Sequence, residues 1–152
     1  KHLFVTSKNG RLSCLGLPWP DISILNCSVS KTSVERSETV TVSCTVANKG
    51  PETETFTLTC FADALSYPLY LNPSHLVLNE TLTLDAGTNI TVVRVWDTSN
   101  VSKDDYILWA VVEPIISEVR MEDNTFIEGI ISILSRAGGL SCVHKGVYPI
   151  LE

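Results

Sequence analysis

Val40, Val42, Cys44 and Val46 alternate with Thr39, Thr41, Ser43 and Thr45. A two-residue period of this kind belongs to a strand with one buried face. Phe56, Leu58, Cys60 and Ala62 repeat the pattern against Thr57 and Thr59. Turn signals separate the runs: Asn48-Lys49-Gly50-Pro51 follows the first, and Asp85-Ala86-Gly87 precedes a further strand over about 90–96. Residues 106–112 and 127–134 predict two more. Near 22–29 the apolar phase slips from Ile22 and Ile24 to Cys27 and Val29. A bulge, or a strand that changes sheets, produces such a slip. No stretch of useful length has a helical period.

Strands are therefore expected over 22–30, 39–47, 55–62, about 68–78, 81–96 (one strand or two), 105–113 and 125–134. About seven short strands with frequent turns predict an all-β, immunoglobulin-like antiparallel two-sheet sandwich over 21–134. Pro68 and Pro73 suggest an irregular edge between Ser66 and Leu78. Residues 1–20 lack clear periodicity and end in Leu17-Pro18-Trp19-Pro20, a stiff linker; they form an N-terminal extension, and 135–152 a C-terminal one. The length of 152 residues suits one domain with such extensions.

Charge and composition narrow the function. A net charge of −6 argues against nucleic acid as a partner, because phosphate binding needs a basic surface. No apolar run reaches the roughly 18 to 20 residues of a membrane-spanning helix, so no transmembrane segment is expected. The chain does not begin with Met, which predicts a processed end left by a secretory signal. Its 5 cysteines contain no CxxC pair, and His2, His75 and His144 lie far from them in sequence. Disulfides in an oxidising compartment are the better expectation than a metal site. Cys44 and Cys60 share inward phases at similar heights and are expected to pair, with Cys27 the rival partner for Cys44. Cys14 and Cys142, in the two extensions, are expected to pair with each other, leaving Cys27 free. Sequons at Asn26, Asn79, Asn89 and Asn100 predict covalent glycans on a translocated chain.

A series of short motifs spans about 21–134: Asn48-Lys49-Gly50, Thr55-Phe56, Leu84-Asp85-Ala86-Gly87, Trp96-Asp97-Thr98, Asp105-Tyr106 and Glu122-Asp123-Asn124-Thr125. In this order they resemble the CARDB-type (cell-adhesion-related) immunoglobulin-like domain of bacterial and archaeal surface proteins. The resemblance implies an extracellular sandwich used as a structural or adhesive module, without a catalytic site. Two features depart from it. Cysteines stand on core phases where aliphatic residues are usual, and Arg94 falls in phase with Val92 and Trp96, so that a bulge intervenes or the arginine reaches a rim.

No catalytic residues are assigned, since no histidine is placed beside a Ser or Cys nucleophile. The acidic pairs Asp104-Asp105 and Glu122-Asp123 are read as solvated turns, because no loop repeats a calcium-binding spacing. No cofactor and no metal are expected. Trp96 and Tyr106 are read as core, and Trp19 as a plug or a sugar-stacking residue. The anomaly lies in the last two strands, which are apolar on both phases. With Tyr106, Leu108, Ala110 and Val112 inward, Ile107, Trp109 and Val111 face outward. Glu128 and Ser132 mark an outward phase that also holds Phe126, Ile130 and Leu134. A patch of this size marks a contact surface, unless residues 1–20 or 135–152 cover it. The reading that follows is a structural subunit of an extracellular filament or cell-surface assembly of archaeal type, with copies of itself as partners. The N-terminal extension would dock on the next subunit through Leu3, Phe4 and Val5, with Trp109 anchoring the receiving face. A secreted adhesion or carbohydrate-binding module is the alternative.

Overall fold

The computed structural model describes residues 2–6, 12–16, 19–66 and 75–135. Among them run β1 (His2–Thr6), β2 (Leu12–Gly16), β3 (Ile22–Val29), β4 (Ser33–Glu35), β5 (Thr39–Asn48), β6 (Glu54–Ala64), β7 (His75–Leu84), β8 (Asn89–Asp97), β9 (Asp104–Val112) and β10 (Thr125–Leu134). No helix occurs among these residues. Strands β3-β5-β8 form one sheet and β4-β10-β9-β6-β7 the other. All neighbours are antiparallel except β4 and β10. The expected sandwich is thus the observed one.

The alternation in the sequence builds the core directly. Val40, Val42, Cys44 and Val46 of β5 are buried against Phe56, Leu58, Cys60 and Ala62 of β6 and Tyr106, Leu108, Ala110 and Val112 of β9. Fully burying such a large side chain contributes about 1.5–3 kcal/mol. Trp96 and Tyr106 are both core residues, in edge-to-face contact at 6.1 Å. The Tyr106 hydroxyl donates to the Ser102 carbonyl at 3.0 Å, the corner that immunoglobulin-like sandwiches place at the start of this strand.

Of the two explanations of the phase slip, the bulge holds. The β3–β5 register shifts between Ile24 and Asn26, leaving Leu25 exposed as the extra residue. After Val29 the chain crosses to the opposite sheet, where β4 lies parallel to β10 and buries Val34. The far edge of β3 is covered by the segment before β10. Ile24 N–H donates to the Asp123 carbonyl at 2.9 Å, and Ile22 N–H to Glu118 Oε1 at 2.8 Å. Glu118 Oε2 accepts from Ile115 N–H and Asn124 Nδ2, both at 3.0 Å, so this buried carboxylate is well supplied with donors.

The motifs divide between the two ends of the sandwich: Trp96-Asp97-Thr98 and Asp105-Tyr106 lie at one end, and the turns around Asn48 and Gly87 at the other. Asn48 is buried; its Nδ2 donates to the carbonyls of Glu52 and Leu84, and its Oδ1 accepts from Gly50 N–H. The Asn48 carbonyl accepts from Gly87 N–H at 2.9 Å. Gly87 has φ 70°, a left-handed conformation that glycine adopts at little cost in this turn. The stretch expected over 81–96 therefore divides into the end of β7 and all of β8. A β-carbon on Gly50 would stand 3.1 Å from both Asn48 Oδ1 and the Asp21 nitrogen, which explains the glycine there. Arg94 reaches the rim, where it pairs with Glu80 of β7.

Three expectations are corrected. The disulfide joins Cys27 to Cys44, with Cα atoms 4.2 Å apart, and Cys60 is the buried free thiol. Cys27 and Cys44 stand directly opposite on neighbouring strands, whereas Cys60 belongs to the other sheet. Next, the β10–β9 register shifts between Ile127 and Gly129. Ahead of that bulge the phase is inverted: Phe126 packs against the core, and Ile127 takes the outer position. Lastly, the N-terminal extension contains a hairpin, β1 on β2, with Leu3, Phe4 and Val5 opposite Leu15, Cys14 and Ser13. The sequence between these strands holds Asn9-Gly10, a hairpin signal. Cys142, and with it the Cys14–Cys142 pairing, lies outside the described residues, as does the stretch 67–74 of the irregular edge.

Candidate functional site

Alternation in a sheet puts every second residue on its outer surface, and registered neighbours then line up in rows across the strands. On the five-stranded sheet one such row reads Leu76, Phe61, Trp109, Ile127, across β7, β6, β9 and β10. The next row is Asp63, Ile107, Ile130, and the row on the other side is Asn79, Thr59, Val111, Thr125. Leu134 is exposed at the end of β10. Ile107, Trp109 and Val111 are half-buried by their neighbours, while Ile127 is 63% exposed and Ile130 53%. The structure thus brings together Ile107, Trp109, Val111 and Ile130 of the expected patch, leaves Leu134 apart beyond the Ser132–Asp105 row, removes Phe126, and adds Ile127, Phe61 and Leu76.

At the centre of this face two aromatic side chains pack together. Phe61 and Trp109 stack with ring centroids 4.9 Å apart. Trp109 Nε1 donates to Asp63 Oδ2 at 2.7 Å, which fixes the indole in its plane. Asp63, Ile107, Trp109, Thr125 and Ile127 line a shallow groove of about 300 Å³. Phe61 escaped the sequence reading because β6 is hydroxyl-bearing on its outer phase until Thr59; the change to Phe61 and Asp63 was the available signal.

The remaining candidate chemistry is dispersed. His75 packs against Trp96 and Tyr106, with centroids 6.4 and 5.5 Å away. Asp105 Oδ1 accepts from Ser132 Oγ at 2.6 Å, and Asp123 Oδ2 pairs with Lys49 Nζ at 2.8 Å. Asp21 sits beside Asp123, and burial together with that neighbour raises its carboxyl above the usual range. Among the described residues, one group of three side chains suited to metal coordination converges: Cys27, Cys44 and Cys60. Two of its sulfurs are joined in the disulfide. All four sequon asparagines, Asn26, Asn79, Asn89 and Asn100, are exposed. No helix is long and apolar enough to cross a membrane among the described residues.

No family model matches the sequence, and no curated protein matches it. Solved structures do. The crystal structure of the CARDB domain of PF1109 from Pyrococcus furiosus, in complex with di-metal ions, aligns with a TM-score of 0.62 at 14% identity, covering 80% of this chain and all of that domain. The solution structure of the same domain gives 0.61 at 15% identity, covering 79% of this chain. A β-glucosidase from Erythrobacter marinus, EmGH1, gives 0.58 at 11% identity; 86% of this chain is covered, but only 18% of the enzyme. That match is to one part of a much larger molecule. The chain has the fold of a CARDB-type immunoglobulin-like domain.

Proposed function

We propose that this chain is a structural subunit of an extracellular filament or cell-surface assembly, in which copies meet through the outer face of the five-stranded sheet. The observation that carries this reading is the row Leu76, Phe61, Trp109, Ile127, a continuous apolar band on a surface that the fold does not require to be apolar. Burying it against a neighbour returns about 25 cal/mol for each Å² of apolar surface removed from water. A surface contact that is not self-complementary propagates from copy to copy into a fibre unless its rotation closes a ring. The exposed sequons and the Cys27–Cys44 bridge favour an extracellular site, with glycans on Asn26, Asn79, Asn89 and Asn100. The protein works without catalysis in this reading; His75 is committed to packing against aromatic rings.

A second reading, an adhesion or carbohydrate-binding module, draws support from the groove in which the Trp109 indole lies beside the Asp63 carboxylate. Electron microscopy of the purified chain, with and without residues 1–18, separates the two. Fibres from the full chain support the filament, and their loss in a folded truncated protein makes the N-terminal hairpin part of the connection. Dispersed particles at every concentration, with tryptophan fluorescence that responds to a saccharide, would favour the adhesion module instead.

A further inference from the structure

The sulfur atoms of Cys27, Cys44 and Cys60 all lie within 4.8 Å of one another, and all three residues are buried. Two of them close a bridge inside the three-stranded sheet, and the third projects from β6 of the facing sheet as a free thiol. The bulge at Leu25 creates this arrangement by turning Cys27 inward opposite Cys44. The inward phase of β6 does the rest, because it carries Cys60 between Leu58 and Ala62.

We propose that the three cysteines form a thiol–disulfide exchange site, through which Cys60 can take over one sulfur of the Cys27–Cys44 bridge and so cross-link the two sheets covalently. The step is an isomerisation. The Cys60 thiol gives its proton to a solvent base, and its sulfur bonds to Sγ of Cys44 or Cys27. The original S–S bond breaks with its electron pair on the displaced sulfur, which then takes up a proton. One disulfide and one thiol enter and leave, so no oxidant or reductant is consumed.

Burial pushes the Cys60 thiol up to about 12, so the attacking thiolate is scarce near neutral pH and the resting bridge persists. Its population, and with it the exchange rate, should rise about tenfold per pH unit below that value. The product differs in kind from the resting state: a bond within one sheet becomes a bond between sheets, which resists their separation.

The test is disulfide mapping of the intact protein after incubation at pH 7 and at pH 9.5, warmed below its unfolding temperature and quenched in acid. Trypsin cuts after Lys31 and Lys49, placing Cys27, Cys44 and Cys60 on separate peptides, and fragmentation distinguishes Cys27 from Cys14. The expected result is a growing cross-link to Cys60 at the expense of Cys27–Cys44, more than a hundredfold faster at the higher pH and absent from Cys60→Ser. Persistence of Cys60 as a free thiol at both pH values, with the chain folded by near-ultraviolet circular dichroism, overturns the proposal. A second variant, Cys27→Ser, leaves Cys44 and Cys60 as thiols. Under oxidised glutathione it should form an intramolecular Cys44–Cys60 bond, and two unbridged cysteines or a disulfide-linked dimer would contradict the site. Should that variant not fold, the time course of the unmodified chain decides.

Discussion

The two outer faces of the sandwich are built on the same alternation and differ in where their apolar residues fall: along one edge strand of the three-stranded sheet, and across the middle of the five-stranded one. On the three-stranded sheet β3 and β5 turn hydroxyls outward, Ser28, Thr41, Ser43 and Thr45, and Thr45 shares a hydrogen bond with Thr91 of β8 at 2.8 Å; the apolar exceptions are Val93 and Val95 along the β8 edge, both exposed. On the five-stranded sheet the corresponding positions carry Phe61, Ile107, Trp109, Val111, Ile127 and Ile130. The inner phases of both sheets are equally apolar, so core formation does not explain the difference. The apolar zone is also local. Further along β6, Thr55 pairs with Thr83 at 2.8 Å, as the hydroxyls of the other face do. What separates the faces is therefore a demand placed on one part of one surface, as a contact would place it. Of the four sequons, Asn26 and Asn89 lie on the three-stranded sheet, away from the apolar band, whereas Asn79 borders it, so a glycan there would limit the contact on the β7 side.

Inner and outer positions of the last two strands give the largest contrast to test. Leu108 is fully buried, and Leu108→Ala should cost about 2–5 kcal/mol in denaturant unfolding. Ile127 stands one row away on the outside, and Ile127→Ala in the dispersed protein should cost less than about 1 kcal/mol. Equal costs would mean that the chain covers its own outer face, and the contrast between the two surfaces would collapse.

A smaller effect sharpens the picture of the core that both sheets share. The Cys60 thiol is raised from 9.0 to about 12 by burial. Its folded form therefore keeps a proton that the unfolded chain releases. Stability is unaffected below about pH 9 and falls by about 1.4 kcal/mol per pH unit as pH rises from there toward 12. Cys60→Ala should remove this component. The difference between the two proteins' urea midpoints, followed from pH 8 to 10.5, measures it; a constant difference across that range would contradict the burial of a protonated thiol.

Much of this was legible in the residues. The alternation of β5 and β6, the turn at Asn48-Lys49-Gly50 and the double apolarity of β9 each act over a few neighbouring positions, and each was realised as read. The outward placement of Trp109 followed from phase alone. Two of the three errors share one cause, which is register. In β10 both phases are apolar, so the sequence offers no contrast to show where the phase turns over. Gly129, with φ 144°, lies at the bulge that decides it and exchanges Phe126 for Ile127. The disulfide failed for a related reason. Spacing shows that Cys27, Cys44 and Cys60 face inward, but whether a bond forms within a sheet or between sheets depends on which residues stand opposite. The slip at Leu25 was visible, yet its consequence, Cys27 level with Cys44, needs the pairing of β3 with β5. The hairpin of β1 and β2 was overlooked because the two runs are only five residues each.

The most direct test of the central claim is sedimentation velocity on three proteins at matched concentrations: the unmodified chain, Ile127→Lys/Ile130→Lys, and Thr45→Lys. Both variants place charge on an outer face and spare the core. The account predicts concentration-dependent assembly of the unmodified chain and of Thr45→Lys, with the Ile127→Lys/Ile130→Lys protein folded and monomeric. Assembly of all three alike, or a monomeric unmodified chain throughout, would contradict the five-stranded face as the surface through which copies meet.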